Sequence, residues 1–214
     1  MKERTIYLIR HAEPASDGQR RYLGQTDPEL SEKGQVQANA LAEKLGVNAI
    51  SSIYSSDLIR AMTTAKKIAG KFNLPVNQDK RLREIHMGNW ENISFEEVQL
   101  RFPEEYERRG NDIVNYRTKG GESFADVRGR AVTAFYEIIT GTAGNIVIAS
   151  HSGAIRTILC TIMSVPLETL FSIKIMIDYA SVQTIIKNED ELIIDGKAYP
   201  VANLEKQISG LKNI

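Results

Sequence analysis

The sequence has almost no cysteine and no excess of charge of either sign. Cys160 is the only cysteine among 214 residues, so the chain cannot form an internal disulfide, and a reducing compartment fits. Cys160 lies within an apolar helical pattern, and we interpret it as a core residue and not as a nucleophile. Basic and acidic residues number 27 each, a balance that gives no support to a nucleic-acid or membrane partner.

Long hydrophobic runs are also missing from the sequence. No apolar stretch approaches the roughly 20 residues that span a bilayer, and the run near the N-terminus is too short for a secretory signal. Internal repeats and low-complexity linkers are absent as well. Since 42% of the residues are apolar, enough for a full core, we expect a cytoplasmic protein with a single domain over residues 1–214.

The most informative feature present is an apolar run that ends in Arg10 and His11. The run from Ile6 to Ile9, within TIYLIRHAE, has the pattern of a buried parallel strand. The carboxyl ends of such strands form the ligand-binding edge of an open α/β sheet. A guanidinium at that edge can clamp a phosphate, and an imidazole beside it can attack the phosphate or exchange protons with it. The pattern therefore favours phosphoryl chemistry.

A second apolar run ends in the same way at His151. The run Asn145 to Ser150 precedes it, and the helical pattern AIRTILCTIM follows Gly153. His151 therefore lies where a strand meets the N-terminus of a helix, whose free amides and dipole attract anions.

Two helical patterns occupy the chain between these strands. The first runs to Leu45, with Ser31 as its predicted N-cap and an apolar face made of Val36, Ala40, Leu41 and Leu45.

The second helical pattern, LIRAMTTAKKIAGKF, follows a predicted strand over Ala49–Tyr54. The cap candidates for this helix are Ser55, Ser56 and Asp57. Arg60, in its first turn, is placed to reach the same sheet edge as His11.

The remaining patterns complete the predicted architecture. Val76–Leu82 suggests a short strand, and the charged segment that follows predicts a small helical lid, inserted at about residues 86–120. Ala180–Lys187 and Glu191–Asp195 flank a polar turn and predict an antiparallel hairpin at the sheet edge, which permits a homodimer. We expect an α/β fold, a three-layer α/β/α sandwich with a mostly parallel central sheet.

Six motifs, taken in order, resemble those of the histidine phosphatase superfamily, also called the phosphoglycerate mutase-like fold. They are LIRHAE, GQTDPELSEKG, SSDLIRAMTTA, LREIHMGNWE, GGES and IASHSGAIRTIL. The resemblance implies that His11 is a nucleophile that takes the phosphoryl group and that Glu84 donates a proton to the leaving oxygen. It further implies that the phosphate oxygens are held by Arg10, Arg60 and His151, with the backbone amides of Ser152 and Gly153 adding to the pocket.

The chain departs from the family pattern at four positions. Ala12 and Ser152 stand where the family commonly has glycine, and Asn92 stands where the family usually has the glycine of a WEG motif. Asp17 falls where many members have an Asn that contacts the phosphate. A carboxylate there would repel the dianion, so we expect Asp17 to point away, or the loop to have a different register, and we leave it out of the site.

Each assignment has a structural alternative. Arg10 and His11 would then form an ion-pairing corner, Arg60 would be a solvated helix residue, and Glu84 would pair on the surface with Arg81 or Arg83. We favour a packing or lid role for His86. The cations of the lid are interpreted mainly as a solvated face, with one or two reaching the substrate: Arg101, Arg108, Arg109, Arg117 and Lys119.

The function predicted from these motifs is that of a phosphomonoesterase without metal or organic cofactor. A small-molecule phosphate ester would be hydrolysed through a phosphohistidine on His11, with an acidic to neutral pH optimum. GGES and VPLETLF resemble the branch that contains α-ribazole phosphatase and broad-specificity phosphatases. The alternatives are a cofactor-dependent phosphoglycerate mutase and a non-catalytic phosphoester-binding module. No HxH, HExxH or DxD cluster supports a metal-dependent hydrolase.

Overall fold

The computed structural model describes residues 3–45, 49–201 and 208. Seven strands in this part of the chain form one sheet in the order β3-β2-β4-β1-β5-β6-β7. The strands are β1 Arg4–Arg10, β2 Ile50–Ser55, β3 Val76–Gln78, β4 Asn145–Ser150, β5 Val182–Lys187, β6 Glu191–Ile194 and β7 Lys197–Pro200. The helices are α1 Glu32–Leu45, α2 Ile59–Phe72, α3 Phe95–Arg101, α4 Pro103–Asn111, α5 Phe124–Gly141 and α6 Ser152–Ile162.

The sheet is parallel at its centre and antiparallel on one side. Strand β4 pairs in parallel with both β1 and β2, and β2 pairs in parallel with β3. Strands β5, β6 and β7 continue from β1 with antiparallel pairing. The predicted hairpin is confirmed as β5 and β6, and β7 extends it by a third strand that the sequence patterns did not predict.

Both faces of the sheet are buried, which gives the predicted three layers. Successive residues of β1 point to opposite faces, so Leu8 packs with α5 and α6 while Ile9 packs with α1 and α2. Val147 of β4 lies on the same face as Ile9. Burial on both faces explains why the central strands are apolar throughout instead of alternating.

Helix α1 begins as predicted, and its buried face is partly the predicted one, since Leu41 and Leu45 are buried. The Ser31 Oγ accepts a hydrogen bond from the Gly34 amide at 2.9 Å, which confirms the N-cap. Val36 and Ala40 are exposed, however, and the buried residues are Gly34, Ala38, Leu41, Ala42 and Leu45. The helix turns this small-residue side inward because Gly34 lies directly against the backbone of Glu13, where a Cβ would clash.

Helix α2 is capped from outside its own sequence. Its N-cap residue, Leu58, makes no side-chain cap hydrogen bond, and Asp27 accepts from the Ile59 amide at 2.7 Å. The predicted local caps are therefore wrong. Ser56 and Asp57 are engaged with His151 and Arg83 respectively.

The lid is anchored more firmly than its charge pattern suggested. Trp90, Val98 and Val114 are buried and belong to the main core.

The predicted strand over Val76–Leu82 is shorter in the structure, because Asp79 accepts from the Arg81 amide at 2.9 Å and starts a 3-10 turn. No helix in the described ranges is long and apolar enough to cross a bilayer.

Candidate active site

The predicted site residues converge at the carboxyl ends of the parallel strands. His11 follows β1, His151 follows β4, and Arg60 lies in the first turn of α2, just after β2. The centres of the His11 and His151 rings are 5.0 Å apart. A cavity of about 460 Å³ is lined by five of the predicted residues together with Gly153: Arg10, His11, Arg60, Glu84 and Ser152. His151 is fully buried behind this pocket.

His11 is held in one orientation by hydrogen bonds at both of its ring nitrogens. Its Nδ1 lies 2.7 Å from the Ala12 carbonyl oxygen, which can only accept, so Nδ1 carries the hydrogen. In a neutral ring, Nε2 therefore keeps its lone pair, and Arg60 Nε donates to it at 3.3 Å. Burial, reinforced by the positive charges of Arg60 and Arg10, lowers the pKa of His11 well below its usual value. The imidazole is thus neutral at physiological pH.

Arg60 is fixed by the loop that precedes α1. The side chain is only 1% exposed, and its two terminal nitrogens donate to Thr26 O at 2.6 Å and to Gly24 O at 2.8 Å. Glu91 of the lid holds the same loop by accepting from the amides of Gln25 and Thr26 at 3.0 and 2.9 Å. Arg60 is therefore not the solvated helix residue of the structural alternative.

Arg10 is held by the segment that leads into β5. Its Nη1 donates to Ile177 O at 2.8 Å, and its guanidinium lies 3.9 Å from the centre of the Tyr179 ring. Its Nε is buried without a hydrogen-bond partner among the described residues. The fixed guanidinium thus keeps a donor available for an anion. Tyr179, which lines the pocket and lies 5.6 Å from the His11 ring, was not found from the sequence.

Glu84 lies beside the N-terminus of α6. Its Oε2 accepts from the Gly153 amide at 3.0 Å, and its Oε1 accepts from the Ile85 amide at 2.9 Å. Arg81 and Arg83 pair instead with Asp79 and Asp57, so Glu84 does not form the surface ion pair of the structural alternative.

Arg130 of α5 fixes the segment that carries Glu84. It donates to the carbonyl oxygens of Arg81, Arg83 and Glu84 at 2.8, 2.7 and 2.9 Å. It also pairs with Glu122, which accepts from the His86 amide at 2.9 Å. Sequence reasoning missed Arg130, because no short-range pattern shows that it contacts residues 46 to 49 positions away.

Among the lid cations named above, Arg109 is the one that lines the pocket. Its guanidinium lies 5.6 Å from the Tyr22 ring and 5.8 Å from the Phe124 ring, and burial lowers its pKa. Arg101 and Arg117 pair with Glu97 and Asp126 on the surface.

Two residues that the sequence did not assign to the site, Asp17 and His86, do not line the pocket. Asp17 pairs with Arg21, which lowers the pKa of its carboxyl to about 2, and it lines an adjoining cavity of about 860 Å³ instead. This cavity shares Arg10, Arg20 and Tyr179 with the pocket, so the two spaces are adjacent. His86 Nδ1 bonds to Gly120 O at 2.9 Å, in line with a lid role.

The donors of the site suit an anion and not a metal ion. Within residues 3–45, 49–201 and 208, no three His, Cys, Asp or Glu side chains are grouped so that they could hold a metal. Two arginines and a neutral imidazole at the ends of parallel strands in an α/β/α sandwich define a class of protein that binds and processes phosphate groups.

The chain belongs to the histidine phosphatase superfamily, branch 1, whose family model matches residues 6–196. It is 37% identical over 169 residues to phosphoserine phosphatase 1 of Hydrogenobacter thermophilus, covering 78% of this chain and 80% of that protein. It is also 34% identical over 165 residues to a probable phosphoglycerate mutase of Yersinia pestis, covering 75% of each chain.

A solved structure agrees with the sequence comparisons. The mycobacterial glucosyl-3-phosphoglycerate phosphatase superposes with a TM-score of 0.76 at 31% identity, over 86% of this chain and 91% of that one. The predicted family and fold are therefore confirmed, and the chain is a phosphatase of this superfamily.

Proposed function

We propose that this protein is a metal-independent phosphomonoesterase that forms a phosphohistidine on Nε2 of His11. The observation that carries the proposal is the state of His11, a buried neutral imidazole whose Nδ1–H is tied to Ala12 O and whose Nε2 lone pair faces Arg60. Phosphoryl transfer spreads charge over three equatorial oxygens, so a fixed cationic cradle stabilises its transition state. Arg10, Arg60, His151 and the amide of Ser152 supply that cradle, whereas the Gly153 amide, which was predicted to join it, donates to Glu84 Oε2.

The reaction takes two steps. Nε2 of His11 attacks phosphorus, the ester P–O bond breaks, and Glu84 transfers its proton to the leaving oxygen. In the second step Glu84 takes a proton from water, the resulting hydroxide attacks phosphorus, and the P–N bond to His11 breaks to release phosphate. The first step needs a neutral His11 and a protonated Glu84, so we expect an acidic to neutral optimum. A rate that rises steadily above pH 9 contradicts this order of protonation states.

Arg109 indicates the chemical class of the leaving group. No carboxylate of the described residues pairs with this half-buried guanidinium, and Tyr22 and Phe124 flank it within the pocket. A desolvated cation is stabilised when it gains an anionic partner. We therefore propose a phosphate ester with a carboxylate near the ester oxygen, such as phosphoserine or a phosphoglycerate derivative. The adjoining cavity leaves room for a further substituent on this leaving group.

The other candidates fit this pocket less well. α-Ribazole phosphate would stack against Phe124 and Phe171 but brings no carboxylate to Arg109. A mutase must keep water from the phosphohistidine, whereas here a cavity of about 860 Å³ adjoins the pocket. A non-catalytic binding module has no need of a neutral imidazole with an unprotonated Nε2.

The decisive experiment measures phosphate release, in chelator, from p-nitrophenyl phosphate, phosphoserine, 3-phosphoglycerate and α-ribazole phosphate. We expect release by the wild type and none by His11→Ala, with acid-labile, base-stable phosphate trapped on the wild type alone. Arg109→Met should raise KM for phosphoserine and leave kcat/KM for p-nitrophenyl phosphate nearly unchanged. Release by His11→Ala at the wild-type rate overturns the mechanism. Interconversion of 3- and 2-phosphoglycerate without phosphate release makes the protein a mutase.

A further inference from the structure

Ser56 is a buried hydroxyl in direct contact with the second histidine of the site. It is fully buried between β2 and α2, and its Oγ lies 2.8 Å from Nε2 of His151. The other ring nitrogen of His151, Nδ1, is buried without a hydrogen-bond partner among the described residues. The sequence analysis considered Ser56 only as a helix cap, a role that the structure gives to Asp27.

Counting donors and acceptors shows which group donates in the hydrogen bond between the Ser56 hydroxyl and Nε2 of His151. Ser56 Oγ already accepts from the Leu58 amide at 3.3 Å. If His151 Nε2–H donated to Oγ, the serine hydrogen would have no acceptor and the Nδ1 lone pair would be buried without a donor. If the hydroxyl donates to Nε2, only one group stays unsatisfied, the Nδ1–H. The second arrangement leaves fewer buried polar groups unpaired and is therefore favoured.

The surroundings of His151 keep its ring neutral, so the tautomer matters. The ring is fully buried, and this burial, together with the positive charges of Arg60, Arg130 and Arg10, lowers the pKa of His151. A neutral imidazole has a single N–H to offer, and its position decides which nitrogen can bind an anion. The centre of this ring lies 5.0 Å from that of His11, so an unpartnered N–H on it is a buried donor close to the proposed phosphoryl acceptor.

We propose that Ser56 is a positioning residue that fixes His151 as the Nδ1–H tautomer, so that this nitrogen donates a hydrogen bond to the phosphoryl group. The proposal rests on the proposed phosphatase mechanism for its effect on rate. The tautomer itself is a property of the free protein. Without the hydroxyl, the ring is free to place its proton on Nε2, and the phosphate loses a preorganised donor.

Two variants of adjacent serines separate this role from simple loss of a buried hydroxyl. Ser56→Ala removes the donor to His151. Ser55→Ala is the matched control, because Ser55 is equally buried but donates to Ser56 O at 2.7 Å, with no hydrogen bond to His151 among the described residues. Ser56→Thr retains the hydroxyl and should rescue the activity. We expect kcat/KM of Ser56→Ala to fall by about tenfold to a hundredfold, and that of Ser55→Ala to fall far less.

The tautomer is measured directly by ¹⁵N NMR of the ring nitrogens in histidine-labelled protein without substrate. The wild type should show a protonated Nδ1 and an unprotonated Nε2 at His151, and Ser56→Ala should shift protonation towards Nε2. In a His151→Ala background, Ser56→Ala should cause no further loss of kcat/KM. A wild-type ring protonated at Nε2, or equal losses in the Ser55 and Ser56 variants, overturns the proposal. Failure of the phosphatase mechanism would appear separately, as activity that survives His11→Ala.

Discussion

At the residue scale, Gly153 lies directly against the Glu84 carboxylate. A Cβ at position 153 would clash with the Glu84 carboxylate and would lie 3.1 Å from the Phe124 ring. Glycine therefore lets the carboxylate reach the first amides of α6. A side chain at this position would displace the proposed proton donor without changing its chemistry.

Gly153→Ala should lower kcat/KM for phosphoserine by about a hundredfold or more, the usual contribution of a positioned general acid. It should affect p-nitrophenyl phosphate much less, because p-nitrophenolate leaves without protonation. Steady-state kinetics with both esters measures the difference. Gly129→Ala on α5 is the control, since a Cβ there meets nothing within 4 Å. Equal losses with both esters would assign Gly153 to phosphate binding instead.

Tyr179 acts at the same scale through Arg10. Replacing Tyr179 with Leu removes the ring that lies 3.9 Å from the Arg10 guanidinium. This change should raise both the KM for the phosphate ester and the inhibition constant of inorganic phosphate about twofold to thirtyfold. Tyr179→Phe keeps the ring and should bind phosphate like the wild type. If the Phe variant is as weak as the Leu variant, the hydroxyl and not the ring interacts with the ligand.

At the element scale, helix α5 fixes the segment that follows β3 through one guanidinium. Arg130 satisfies three carbonyl oxygens that no sheet or helix pairs, and Glu122 balances its charge. This arrangement explains how an irregular segment can hold a carboxylate in a fixed position. The segment depends on an element that lies more than 40 residues further along the chain.

Arg130→Gln should lower the free energy of unfolding by about 2–4 kcal/mol, because it leaves Glu122 and the three carbonyl groups without their cation. Arg117→Gln breaks a comparable but exposed pair with Asp126 and should cost at most about 1 kcal/mol. Chemical denaturation monitored by circular dichroism compares the two variants. Equal costs would show that the Arg130 contacts contribute no more than a surface ion pair.

At the scale of the whole molecule, the site makes stability depend on pH. His11 and His151 are buried with a lowered pKa, whereas in the unfolded chain each has an ordinary pKa near 6.5. Below pH 6.5 the unfolded state therefore binds protons that the folded state does not. The stability is fully present above this pH and is lost as the pH falls towards the folded-state pKa values.

We expect the free energy of unfolding to fall by up to about 2 kcal/mol per buried histidine between pH 6.5 and pH 5. His151→Gln and His11→Gln should each flatten this dependence. Urea unfolding of the wild type and the two variants at a series of pH values tests this. A dependence that is as steep in both variants as in the wild type would place its origin in other groups.

The sequence by itself determined the parallel strands, their polar ends and the hairpin. These features depend on apolar runs and turn residues within a few positions of each other, and so does the Ser31 cap. The motifs also indicated the family and the five side chains that meet in the pocket.

Only the tertiary structure decided how those side chains are held. Asp27 caps α2, Ser56 meets His151, Arg130 fixes the Glu84 segment and Tyr179 covers Arg10. The inward face of α1 was likewise decided by the close approach of Gly34 to Glu13. The physical reason is that these contacts join residues between about 20 and 170 positions apart, so their geometry exists only once the layers have packed.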